Sequence, residues 1–229
     1  MKTCAIVPAL DAASTVGHVV DDVREVLDIP IVVVDDGSSD ATGYVAGAHG
    51  AVVLRHERNL GKGAAILSGL REAQRRGFDA ALTIDADGQH PAASGSVVLS
   101  GSDDPRAIVL GVRDLVRDGA PRSNRFGNGV SNFFLSAFAG TRLRDTQCGL
   151  RRYPIRETLA LHTRSRGYAF EAEILLRARA AGLRLIEVPV QVVYPAEGER
   201  VSHFHNVRDP ARIVATVVRT LVDLRRAER

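Results

Sequence analysis

Apolar residues along this chain fall into short runs that alternate with helix-spaced stripes. Thr3 to Val7 is a compact apolar run that stops at Pro8 and predicts a strand. From Thr15 to Leu27 the apolar positions recur at helical spacing, with Ser14 as the expected cap. Ile31-Val32-Val33-Val34 is an unbroken β-branched run, the pattern of a strand buried on both faces. A helix then starts at Asp40 or Thr42, and Ala51 to Leu54 predicts a third strand. Lys62 to Arg76 is helical and is closed by Gly77. Ala80 to Ile84 and Ala107 to Leu110 predict a fourth and a fifth strand. This β-α-β-α rhythm predicts an α/β fold: a Rossmann-like, mostly parallel, doubly wound sheet with helices on both faces. In such sheets ligands bind beyond the carboxyl ends of the strands.

The pattern changes after Arg113. Asp114 to Pro121 is a charged loop, and Asn128 to Phe138 is an apolar helix in which Phe133, Phe134 and Phe138 form an expected core stripe. Gln147 to Tyr153 reads as extended, and Phe170 to Ala181 as a helix ended by Gly182. Arg184 to Val188 and Val190 to Tyr194 predict two strands separated by Pro189. Pro210 opens a last helix with an apolar stripe of Ile213, Val214, Val217, Val218, Leu221 and Leu224. No repeat or linker interrupts the 229 residues, so one domain is expected.

A formal net charge of only +3 excludes a polyanion binder driven by bulk charge, and no nucleic-acid partner is expected. The arginines are unevenly spread: Arg113, Arg117, Arg122 and Arg125 lie close together, and Arg225, Arg226 and Arg229 end the chain. Such patches suit a phosphate ligand or an anionic membrane surface, or else a solvated helix face. The two cysteines, Cys4 and Cys148, outline neither a disulfide framework nor a thiolate metal site. No run approaches the ~18 apolar residues of a membrane span, and the first strand is too short for a signal peptide. A cytoplasmic protein with at most peripheral membrane contact is expected.

Polar clusters sit at the ends of three successive strands. Asp35-Asp36-Gly37-Ser38-Ser39-Asp40 follows the second, with a carboxylate placed to read a base. Asn59-Leu60-Gly61-Lys62-Gly63 follows the third and opens a helix, an arrangement that suits phosphate, with Lys62 close to it. Asp85-Ala86-Asp87-Gly88-Gln89-His90-Pro91 follows the fourth. Asp85 and Asp87, one residue apart, repel unless a cation sits between them. A hard divalent ion, with Gln89 as a further oxygen ligand, meets that need and keeps positions open for phosphate oxygens. The plainer reading is a polar turn whose aspartates cap the next helix. His90 adds either to the metal shell or to the start of that helix. His203 and His205 have ligand-like spacing but fit better in a loop beside the site.

These motifs resemble those of the inverting family 2 glycosyltransferases with the nucleotide-binding GT-A fold, and most of all the dolichol-phosphate mannose synthases and dolichyl-phosphate glucosyltransferases. Further matching segments are Ile6-Val7-Pro8-Ala9, Gly111-Val112-Arg113, Asp145-Thr146-Gln147-Cys148-Gly149-Leu150-Arg151 and Glu187-Val188-Pro189-Val190. The Asp-Thr-Gln-Cys-Gly string leans towards the glucosyltransferases. The resemblance implies a nucleotide-sugar-binding half over residues 1–112 and an acceptor-binding half over 113–229 that includes the C-terminal helix. It implies that Pro8, Ala9, Asp35 and Asp36 line the nucleoside pocket, that Asp85 faces the ribose or diphosphate, and that Asp87 is the main metal ligand beside Gln89. Arg113 and Arg125, helped by Arg122 or Asn128, would take the acceptor phosphate. Arg200 and Ser202 would close over the donor phosphates. One departure stands out: Asp11-Ala12 replaces the family's usual Asn-Glu.

The expected reaction moves a hexose from GDP-mannose, UDP-glucose or a UDP-N-acetylhexosamine, with Mg²⁺ or Mn²⁺, to a polyprenyl phosphate. A phosphate acceptor is already ionised and needs positioning rather than a base. A glycan or lipid hydroxyl, the alternative acceptor, needs a carboxylate to take its proton, with Asp145 and Glu173 as candidates. A nucleotidyltransferase and a non-catalytic nucleotide-sugar binder rank lower.

Overall fold

The computed structural model describes residues 1–120, 122–167, 169–194 and 208–227. The first half follows the predicted rhythm: β1 (Thr3–Ala9), α1 (Val16–Leu27), β2 (Ile31–Asp35), α2 (Thr42–Ala48), β3 (Val52–Arg55), α3 (Lys62–Arg75), β4 (Ala80–Thr83), α4 (Ala92–Ser100) and β5 (Ile108–Arg113). The second half adds α5 (Arg122–Ala139), β6 (Arg151–Pro154), α6 (Ile155–Ala160), α7 (Ala169–Ala180), β7 (Leu185–Val190) and α8 (Arg208–Ala227).

The strands form one seven-stranded sheet in the order β3-β2-β1-β4-β6-β5-β7. Strand β2 is buried along its whole length. Val32 and Val34 pack into the core on one face with Ile66, Leu70 and Phe170, while Val33 joins Val7, Val20 and Leu82 on the other. This two-sided burial is why the strand shows no polar alternation.

All pairings are parallel except those of β6, which runs antiparallel to both β4 and β5. The sheet is therefore mixed, which the extended reading of Gln147 to Tyr153 did not specify. The reversal has a direct consequence. Thr83, at the carboxyl end of β4, pairs with Arg151, at the amino end of β6. The segment leading into β6 is thus brought to the edge where β1, β2, β4 and β5 end.

Four details differ from expectation. Thr15, not Ser14, precedes α1, and its hydroxyl donates to the Ala86 carbonyl at 2.7 Å. Helix α5 begins at Arg122, ahead of the predicted Asn128. Pro189 lies inside β7 rather than between two strands, paired with Val112. Strand β7 is the sheet edge, where a missing N–H breaks no ladder. Phe133 is 70% exposed, so it does not serve the core as the aromatic stripe predicted. Among the described residues no helix is long and apolar enough to cross a membrane.

Candidate active site

The polar strand ends converge at one edge of the sheet because β1 to β5 all point their carboxyl termini there. Ala9 and Asp35 are register partners at the ends of β1 and β2, and the Asp36 N–H donates to the Ala9 carbonyl at 2.8 Å. Ala9 is buried and Pro8 half-buried. The two aspartates then diverge in role. Asp36 accepts from the backbone N–H groups of Leu60 and Gly61 at 2.9 and 2.8 Å and contacts His56 Nδ1 at 2.6 Å. Its carboxylate is spent on holding the loop before α3. Asp35 accepts from Ser38 N–H through Oδ1, while its buried Oδ2 has no hydrogen-bond partner. Gly37 makes this packing possible: its φ is +78°, and a Cβ there would lie 2.4 Å from the Arg58 carbonyl carbon.

Asp11, at the position of the family's asparagine, accepts from the Ser39 N–H at 2.7 Å and from the Ser39 hydroxyl at 3.0 Å. The neighbouring Ala12 N–H donates to Thr42 Oγ1 at 2.7 Å. The departure Asp11-Ala12 therefore ties the first polar loop to the second.

Lys62, the first residue of α3, reaches across to the fourth strand end. Its Nζ lies 2.8 Å from Asp85 Oδ1 and 3.0 Å from Glu171 Oε1 on α7. Burial works against the Asp85 carboxylate, but the Lys62 ammonium more than offsets it, so its pKa lies below the ordinary value. Burial and the Asp85 charge both push the Asp87 carboxyl upward. Asp87 Oδ1 accepts from the Gln89 N–H at 3.0 Å. The plainer helix-cap reading of this pair does not hold. Helix α4 has no side-chain cap from either aspartate, and its Ala92 N–H donates instead to Asp22 of α1 at 2.7 Å.

The residues that could supply hard oxygen here are Asp87 and, two positions on, Gln89. Among the described residues no group of three or more His, Cys, Asp or Glu side chains could hold an ion. A cation whose remaining ligands are diphosphate oxygens and water fits that set, and it relieves the repulsion that raises Asp87. The two ring nitrogens of His90 contact other groups. The residue is 5% exposed, with Nδ1 3.4 Å from the Gln191 carbonyl and Nε2 3.8 Å from Cys148 Sγ. Burial pushes the Cys148 thiol up to about 12, so it stays protonated.

The antiparallel β6 delivers the loop that precedes it, Asp145 to Leu150, to the same place. Gly149 packs directly on Asp85, where an added Cβ would lie 2.2 Å from Oδ2. Asp145 is fully buried and fully engaged. It binds Arg113 through Nε at 2.7 Å and Nη2 at 3.0 Å, and accepts from the Arg113 N–H at 3.1 Å. Asn128 Nδ2 adds 2.9 Å and the Gln147 N–H 3.3 Å. Burial raises the Asp145 pKa and these donors, Arg113 foremost, outweigh it, leaving the group below the ordinary value. Glu173, the other candidate base, is similarly occupied by Ser165 N–H, Arg164 N–H and Arg177 Nε.

Two residues here were not singled out from the sequence. Glu171 completes the Lys62 pair, and Arg151 holds the loop before β6 through the Cys148 and Thr146 carbonyls at 2.8 Å each. A signal for the second existed: Arg151-Arg152 follows directly on the polar loop Asp145 to Gly149. The side chains of Arg122 and Arg125 in α5, together with Arg200, Ser202, His203 and His205, lie outside the described residues.

Known proteins resemble this chain over most of its length. The chain is 28% identical over 214 residues to the UDP-N-acetylglucosamine–dolichyl-phosphate N-acetylglucosaminyltransferase of Methanococcus voltae, covering 82% of this chain and 84% of the relative. It is 28% identical over 226 residues to the polyprenol monophosphomannose synthase of Mycolicibacterium smegmatis, covering 91% and 83%. The fold matches glucosyl-3-phosphoglycerate synthase of Mycobacterium tuberculosis, solved with Mn²⁺, UDP and glucosyl-3-phosphoglycerate, with a TM-score of 0.73 at 18% identity over 96% of this chain and 79% of that one. These structural neighbours are GT-A glycosyltransferases, and the α/β sheet described above is theirs. The family profile described as "Glycosyl transferase family 2" matches residues 4–159, from the first strand through β6 and into α6, and the chain belongs to that family.

Proposed function

We propose that this glycosyltransferase moves a hexose, with inversion, from a nucleotide-diphosphate sugar to a polyprenyl phosphate. The observation that carries this reading is the state of Asp145. A hydroxyl acceptor requires a carboxylate free to take a proton, and both candidates, Asp145 and Glu173, are saturated with donors. A phosphate monoester has a second pKa of about 6 and arrives ionised near neutral pH. It needs a cation to place it, and Arg113 is that cation. With Nε and Nη2 turned to Asp145, the Nη1 edge of the guanidinium remains for the phosphate. Arg122 and Arg125 are assigned to the same phosphate. The two lipid-phosphate relatives support this acceptor class.

On the donor side, Asp35 Oδ2 accepts from the base, and Pro8 and Ala9 floor the nucleoside pocket. Arg200 and Ser202 are assigned to the diphosphate. Asp87 and Gln89 would hold Mg²⁺ or Mn²⁺, which neutralises charge growing on the leaving diphosphate. Lys62 orients Asp85 towards the same group, and Gly149 leaves room for that carboxylate. A single displacement by the acceptor oxygen inverts the sugar carbon and asks no covalent nucleophile of the protein.

The test is a screen of labelled GDP- and UDP-sugars with Mn²⁺ and a polyprenyl phosphate, followed by solvent extraction. A labelled, organic-soluble product is expected with one donor. Transfer only to a glycan or lipid hydroxyl would refute the phosphate acceptor.

A further inference from the structure

A buried polar network joins β2, β3 and α3. His56 is the first residue past β3, and its N–H donates to the Asp35 carbonyl at 2.8 Å, so its main chain extends the β2–β3 ladder. Its side chain is only 10% exposed. Nδ1 lies 2.6 Å from Asp36 Oδ1, and Nε2 lies 2.9 Å from Ser68 Oγ in the second turn of α3. A carboxylate only accepts, so the ring donates through Nδ1, and in its neutral form it accepts at Nε2 from the Ser68 hydroxyl. Serine, histidine and aspartate in this order activate a nucleophile in hydrolases. That role does not fit here. Ser68 lies inside a helix whose N–H groups are spent on its own carbonyls, so the neighbouring N–H groups cannot hold an oxyanion.

The network instead fixes where α3 begins. Asp36 accepts from His56 Nδ1 and from the N–H groups of Leu60 and Gly61. Gly61 immediately precedes α3, and the helix has no side-chain cap of its own. From the other side, the Arg166 carbonyl accepts from the Ala64 N–H at 2.9 Å. A Cβ at Gly61 would lie 2.5 Å from that same carbonyl oxygen. The first turn of α3 is thus held between Asp36 and the loop before α7. That seat decides where Lys62 starts, and its Nζ has to meet Asp85 at 2.8 Å and Glu171 at 3.0 Å. We propose that His56 is a positioning residue for the donor site. It holds the Asp36 carboxylate towards Leu60 and Gly61, and through them sets Lys62 against Asp85. The inference rests on the nucleotide-sugar reading and adds to it a residue that acts only through others.

Exchange of the Leu60, Gly61 and Val33 amide protons is followed by NMR in the wild type and in His56→Ala, His56→Asn and His56→Gln. Val33, in the fully buried β2, reports loss of the whole fold. Asparagine returns a donor near Nδ1, towards Asp36, whereas glutamine reaches the Nε2 position, towards Ser68. In His56→Ala and His56→Gln, exchange at Leu60 and Gly61 should quicken about tenfold more than at Val33, while His56→Asn stays within about twofold of wild type. Equal quickening at all three amides would make His56 a general stabiliser and overturn the inference. Failure of asparagine to restore protection, or rescue by glutamine, overturns it as well. Asparagine and glutamine fill most of the imidazole volume, so this pair decides the matter even where His56→Ala does not fold. The second measurement is calorimetric binding of UDP and of GDP with Mn²⁺. Whichever nucleotide the wild type binds should bind about tenfold more weakly to His56→Gln and as tightly as before to His56→Asn. Equal affinity for all three proteins would overturn the inference. A wild type that binds neither nucleotide refutes the donor reading, and the exchange measurement then decides the Asp36 contact by itself.

Discussion

Asp145→Asn separates an anchor from a base. Asp145 has no exposed side-chain surface and Arg113 retains 15%, so the pair is close to fully desolvated. Every group around the carboxylate is a donor: Arg113 Nε, Nη2 and N–H, Asn128 Nδ2 and the Gln147 N–H. An amide in this place turns one NH₂ group towards donors and leaves the guanidinium without its counter-charge. Breaking a buried pair by removing one partner costs about 3–5 kcal/mol, and the remaining exposure of Arg113 places this variant near ~3. For a chain of this size each kcal/mol lowers the melting temperature by about 2–4 °C, giving a fall of roughly 6–12 °C. Differential scanning calorimetry at neutral pH measures it. The phosphate-acceptor KM should rise with kcat less affected, because Arg113 loses its orientation. An unchanged melting temperature with turnover abolished would refute the anchor and make Asp145 the base. The acid limb offers a second check. The folded Asp145 pKa lies below its unfolded value of about 3.9, so its stabilisation is complete above that pH and is lost as pH falls through the folded value. The wild type should therefore lose this advantage over Asp145→Asn only in strong acid.

Asp87→Asn should behave oppositely. It removes a carboxylate that burial and Asp85 already disfavour, so the melting temperature should hold or rise while Mn²⁺ binding, followed by the Mn²⁺ electron paramagnetic resonance signal, is lost. A large drop in stability would contradict the metal-ligand assignment. Lys62→Met leaves Asp85 and Glu171 facing each other without a cation, at a cost of about 3 kcal/mol in a denaturant titration; a loss below ~1 would show that the bridge contributes little. Gly149→Ala forces Asp85 aside, since its Cβ would fall 2.2 Å from Oδ2, and should raise the donor KM at least about tenfold. Unchanged donor affinity would mean that the Asp85 position does not matter.

The sequence by itself determined the parallel half of the sheet, because β1 to β5 are built from local signals. Continuous β-branched runs need two buried faces, and Gly77 closes its helix whatever lies elsewhere. Asp85, Asp87 and Gln89 were legible for the same reason: adjacency in sequence is adjacency at a strand end. What only the tertiary structure decided is the company these residues keep. Asp35 and Asp36 look alike in sequence, yet one is consumed by the Leu60 and Gly61 N–H groups and the other keeps a buried oxygen with no hydrogen bond, 3.6 Å from Arg55 Nε. Glu171 and Glu173 are two residues apart, and only the packing of α7 sends one to Lys62 and the other to Arg177. Whether Asp145 could act as a base depended on donors drawn from β5 and α5, 17 to 32 residues away, collected by a strand whose reversed direction no periodicity reveals. Local patterns specify which residues lie at an edge; charge neutralisation across that edge depends on contacts that only the assembled sheet creates.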